Sequence, residues 1–118
     1  MTKTITGDLI LEKNTTFDES IIVEGNIYGK RGEWFNLTVR GNITAGNIIT
    51  WDINAWDITA RNINAGDIIA RNINAWDINY YAVCFAYEHI TCKSIKGRRE
   101  NARHFCLDGK ITIKEASG

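Results

Sequence analysis

The sequence predicts an all-β fold, a short β-helix whose coil takes about twenty residues on four sides. Three observations carry this expectation. From Gly41 to Tyr80 the chain repeats a five-residue unit: GNITA, GNIIT, WDINA, WDITA, RNINA, GDIIA, RNINA, WDINY. Each unit centres on Ile, places Asp or Asn before it, and in most cases ends on Ala. The chain also contains no proline, which suits a backbone whose amides are committed to ladders.

A five-residue period fits neither a helix nor a long alternating strand. In extended backbone, Ile and the residue two places later point to the same side, so both are expected to face inward. The other positions then turn the chain. Asp and Asn suit that turn because their side chains bond nearby backbone amides and tolerate unusual dihedrals. An amphipathic helix is disfavoured by the density of β-branched Ile and by the Asn content.

Overlaying residues 41–60 on 61–80 aligns Gly46 with Gly66, Ile49 with Ile69, Asn54 with Asn74 and Trp56 with Trp76. Laying the same residues 41–60 on 56–75, a shift of fifteen, aligns only Thr44 with Thr59 among the variable places. Four units per coil are therefore expected, with Ile stacked on Ile at about 4.8 Å between coils.

The flanks follow the same ruler. VEGNIYG at Val23–Gly29 echoes VRGNITA at Val39–Ala45, so the solenoid begins before the regular units and is interrupted by KRGEWFN at 30–36. After Tyr80 the pattern blurs through YAVCFAY and returns as EHITC and KSIKG, with Ile90 and Ile95 inward and Cys92 in an Ala slot. An irregular loop is expected near 97–104, and Ile111 and Ile113 mark a closing C-terminal strand. The whole is a single domain over 1–118 with about five coils.

With 14 basic and 14 acidic side chains the formal charge is zero, so no global field draws the chain to nucleic acid or membrane. No apolar run has signal-peptide or bilayer-spanning length, and a cytoplasmic protein without membrane contact is expected. Cys84, Cys92 and Cys106, with His89 and His104, lack a C-x-x-C pair or other zinc spacing. Buried thiols are expected there, with no metal site and no cofactor.

With tandem five-residue units, four to a coil, the chain resembles the pentapeptide-repeat proteins, which form right-handed quadrilateral β-helices. Their small residue precedes the central residue by two places, whereas here Ala follows Ile by two. The opening, GDLILEKNTTFDESIIVEGNIYG, resembles the bactofilin-type, polymer-forming β-helices. The resemblance implies a right-handed solenoid. Some pentapeptide-repeat proteins mimic DNA through an acidic surface, a role that zero net charge counts against.

The first residue of each unit should lie exposed at a corner. On the twenty-residue coil Trp51 stacks over Arg71 and Trp56 over Trp76, with Asn54 and Asn74 outward between them. These tryptophans either pack against a loop, a cap or another subunit, or stack a planar ligand. Ile49 and Ile69 would form a flat apolar strip, an expected homo-oligomer interface. The stretch KSIKGRRENARH brings Arg98, Arg99, Arg103 and His104 together, either as a phosphate-binding loop or as a solvated one partly neutralised by Glu100.

No acid–base pair or nucleophile grouping stands out, since Asp52, Asp57, Asp67 and Asp77 are committed to turns. The expected function is therefore non-enzymatic: a self-associating binding protein that captures an anionic, ring-bearing ligand such as a nucleotide. The alternative is a structural, polymer-forming β-helix.

Overall fold

Each inward side chain of the five-residue unit meets its equivalent in the next coil, and the register of those meetings sets the shape. The computed structural model describes residues 2–113. Met1 and residues 114–118, the two ends of the expected 1–118 domain, lie outside the described residues.

The first coils contain β1 (Thr2–Ile5), β2 (Leu9–Leu11), β3 (Thr15–Phe17), β4 (Ser20–Val23), β5 (Ile27–Gly29) and β6 (Leu37–Val39). The regular units form β7 (Ile43–Thr44), β8 (Asn47–Ile49), β9 (Ile53–Asn54), β10 (Asp57–Thr59), β11 (Asn62–Asn64), β12 (Ile68–Asn74) and β13 (Asp77–Tyr80). The last are β14 (Val83–Cys92), β15 (Ser94–Gly97), β16 (Arg103–Cys106) and β17 (Ile111–Ile113).

Every pairing among these strands is parallel, and the strands stack on three faces. Face one carries β1, β4, β7, β10, the end of β12, the end of β14, and β17. Face two carries β2, β5, β8, β11, β13 and β15. Face three carries β3, β6, β9, the start of β12, the start of β14, and β16. The fold is thus an all-β solenoid of about seven turns, averaging roughly 17 residues each.

The expected four-sided, twenty-residue coil is replaced by a three-sided one, and the five expected coils by about seven. In the regular region Ile58 pairs with Ile43 and with Ile73, so three units close each coil. The quadrilateral section implied by the pentapeptide-repeat resemblance is therefore not adopted. Insertions lengthen the coil elsewhere. Residues 30–36 separate Thr15 from its partner Leu37, and begin with a 3-10 turn, Lys30–Gly32. Arg31 and Gly32 take left-handed φ of 57° and 78° there, which lets the loop turn sharply away from the coil. The turn expected near 97–104 is shorter, because β16 already begins at Arg103.

Inside, the rungs are Ile43, Ile58, Ile73 and Ile90 on face one, and Ile48, Ile63, Ile78 and Ile95 on face two. Face three stacks Leu37, Ile53, Ile68 and Cys84. Burying each Ile contributes roughly 1.5–3 kcal/mol. Small residues fill the tight space behind each rung: Ala55, Ala60, Ala65, Ala70, Ala75 and, as expected, Cys92 are buried.

The Asx residues act between coils rather than locally. Asn42 Oδ1 accepts the Asp57 amide at 3.2 Å, Asp52 Oδ1 the Asp67 amide at 3.0 Å, and Asp67 Oδ1 the Val83 amide at 3.1 Å. The same device opens the molecule, where Asp8 Oδ1 accepts the Asn26 amide at 2.8 Å. Many of the turns therefore carry a side-chain acceptor for the backbone above them, while Asn47 and Asp57 accept the Asn62 and Asn72 side-chain amides instead. No helix among the described residues is long and apolar enough to cross a membrane.

Candidate functional site

Three corners join the faces, and their residues stack in columns of backbone hydrogen bonds. Gly41, Trp56 and Arg71 form the corner between faces three and one. Gly46, Arg61, Trp76 and Lys93 form the corner between faces one and two. Phe35, Trp51, Gly66, Tyr81 and Arg99 form the corner between faces two and three. The column pattern is complementarity rather than identity, cation on ring and ring beside glycine.

The expected pairs of Trp51 with Arg71 and Trp56 with Trp76 are therefore not made, because the three-sided coil sends each tryptophan to a different corner. Arg71 lies over Trp56 instead, its guanidinium carbon 5.6 Å from the ring centroid, and its Nε reaches Glu88 at 3.5 Å. Trp76 lies between Arg61 at 5.6 Å and Lys93 at 4.7 Å. Asn54 points out from face three, whereas Asn74 points out from face one. The Ile49 and Ile69 strip is likewise absent: Ile49 lies beside Asn64 on face two and Ile69 beside Asn54 and Phe85 on face three.

The corner between faces two and three holds an open hollow of about 630 Å³ lined by Trp34, Trp51, Asn64, Tyr81 and Arg98. Two sequence features build it. The 30–36 insertion leaves the coil at this corner and carries Trp34, which meets Trp51 edge-on at 5.2 Å and 66°. Gly66 then leaves room for Trp51, since a Cβ there would lie 2.6 Å from Trp51 Cε3. Tyr81 approaches Trp51 across that gap at 6.4 Å and 84°.

Arg98 closes the hollow from the next coil. Its Nη1 donates to Asn64 Oδ1, its Nη2 donates to the Ala65 carbonyl at 2.8 Å, and its guanidinium lies 5.3 Å from the Trp34 centroid. The side chain is thus held in place while its other N–H donors remain for a ligand. Among the described residues no carboxylate lines the cleft. Of the expected ligand residues, Trp51 and Arg98 are brought together here, within one chain rather than across two. Arg99 is tied by its amide to the Tyr81 carbonyl at 2.9 Å, Arg103 starts β16, and His104 Nδ1 lies 2.7 Å from Tyr80 Oη.

Sequence reasoning missed Trp34, Asn64 and Tyr81. A fifteen-residue overlay carried signals for two of them: it sets Trp51, Gly66 and Tyr81 in one column, large beside small beside large, and Asn64 beside Ile49. Trp34 and Arg98 needed the loop geometry.

The Cys84 and Cys92 thiols belong to the interior, and Cys106 is half-buried. Burial pushes the Cys84 thiol up to about 12, with Cys92 and Cys106 adding smaller raises. Among the described residues no three His, Cys, Asp or Glu side chains gather to hold a metal ion. The chain matches no protein-family model, no curated protein and no solved structure.

Proposed function

We propose that this chain is a non-catalytic binding module whose cleft between faces two and three takes a flat, ring-bearing anion, with nucleotides as the class to test. One observation carries the reading. Arg98 is fixed over Trp34 beside Trp51 and Tyr81, in a hollow that no carboxylate of the described residues lines. Aromatic walls offer stacking to a ring, the Asn64 amide offers bonds to its edge, and the guanidinium offers charge-assisted donors to a phosphate or carboxylate. The volume lies in the range of small-molecule sites.

Tryptophan emission is the direct assay. A panel of mono-, di- and cyclic nucleotides is expected to quench it, and loss of one stacking ring, Trp34→Ala, should weaken binding by roughly 1–3 kcal/mol. Arg98→Gln should weaken it about tenfold or more while leaving neutral ring compounds unaffected. If no nucleotide at millimolar concentration changes emission or melting, the reading is wrong.

A second reading, a structural protein that stacks end to end, is favoured by charge polarity along the solenoid. Residues 2–24 hold five carboxylates and two lysines, whereas residues 88–110 hold six cations and three carboxylates. Opposite ends would therefore attract. Filaments in electron micrographs, dissolved by salt, would favour this reading over the first.

A further inference from the structure

Face three changes character along the solenoid. Its outward column runs Thr16, Thr38, Asn54, then Ile69, Phe85 and Phe105, so the polar half gives way to an apolar one. Phe85 packs on Phe105 at 4.9 Å and on Tyr87 at 4.8 Å. Leu107 follows Phe105, its amide bonded to the Ala86 carbonyl at 3.1 Å, and it is the most exposed large apolar side chain of the described residues at 63%. Ile69, Phe105 and Tyr87 are 40%, 44% and 49% exposed. Scattered exposed apolar residues need no explanation, but Ile69, Phe85 and Phe105 stacked on face three, with Tyr87 and Leu107 beside them at its edge, mark an interaction surface.

The rim identifies the occupant. Arg103 stands at the start of β16, before Phe105, and Asp108 follows Leu107 just beyond its end. Neither forms an ion pair with another side chain among the described residues. A cation, an apolar centre and an anion thus follow one another from β16 into the bend after it, whose Leu107 and Asp108 amides keep it stacked on β14. A twofold axis parallel to the solenoid, placed beside face three, turns a second copy's strands antiparallel at the same height. That operation sets Arg103 opposite Asp108 of the second copy, and the reverse, with the apolar centres facing each other.

We infer that face three is a self-complementary interface through which two copies pair side by side. The apolar centre supplies the burial, about one sheet-to-sheet spacing of 10 Å thick. The two rim pairs set the antiparallel alignment, and a foreign partner would have no reason to match this order of charges. The surface is separate from the aromatic cleft.

Sedimentation of the intact chain over micromolar to near-millimolar concentration tests this. The wild type should reach a dimer, and Leu107→Asp, at an exposed position that folding tolerates, should weaken it about tenfold or more. Arg103→Asp and Asp108→Arg should each weaken it comparably, and the double reversal should recover most of the loss, since both pairs are then restored with opposite sign. A wild type that stays monomeric overturns the proposal. So does a Leu107→Asp dimer as tight as wild type, or a double reversal no tighter than either single change.

Discussion

Asp67 shows how much one side chain does in this fold. Its Oδ1 accepts the Val83 amide at 3.1 Å, at the point where the regular units end and β14 begins. Removing a partner from a partly buried amide costs about 1–3 kcal/mol, so Asp67→Ala should lower stability in urea by that order while Asp67→Asn stays near wild type. Cys84 sits one coil above Ile68 and behaves as a buried hydrophobe. Its thiol ordinarily titrates at 9.0 and is held protonated to about 12. The unfolded chain therefore releases this proton first, and the stability it contributes is whole below 9 and falls as the pH climbs toward 12. Urea midpoints measured through that window should fall less steeply for Cys84→Ala than for wild type, whatever the variant's starting stability.

At the scale of elements, the central rungs hold the solenoid. β11 lies between β8 and β13, with Ile63 buried between Ile48 and Ile78. Ile63→Ala should cost about 2–5 kcal/mol, because neighbouring coils cannot collapse into the space. The corners serve the site instead. Gly66→Ala puts a methyl against Trp51 and Asp52, and the exposed indole is the group able to move. The expected outcome is a small change in melting with a red-shifted tryptophan emission and loss of ligand quenching. These two kinds of position were unequally legible. The inward Ile and Ala slots were plain, because burial demands the same residue in every unit. The number of units per coil was not, since those slots fit at any multiple of five. The matches that favoured twenty, such as Trp56 with Trp76, assumed that like stacks on like. At a crowded corner the stable neighbours of Trp56 are Gly41 and Arg71, a small residue and a cation. Arg98 reaches Trp34 through two loops of different coils, a meeting no period encodes.

Coil closure is a property of the whole molecule, and it can be tested without reference to any ligand. A three-sided coil puts Thr44 and Thr59 side by side on face one, their strands in register. Neighbouring strands lie about 4.8 Å apart, inside the Cα separation that a disulfide accepts. Asn54 and Asn74, neighbours on a twenty-residue coil, occur instead on faces three and one. Cysteines at positions 44 and 59 should therefore cross-link under mild oxidation, whereas cysteines at 54 and 74 should stay reduced until the chain unfolds. The native thiols interfere little, since Cys84 and Cys92 are buried and Cys106 is half-buried. Cross-linking at 54 and 74 in the folded protein would restore the four-sided coil and separate Trp51 from Tyr81, dissolving the aromatic cleft. The outcome at these two pairs thus decides the placement of every corner residue at once.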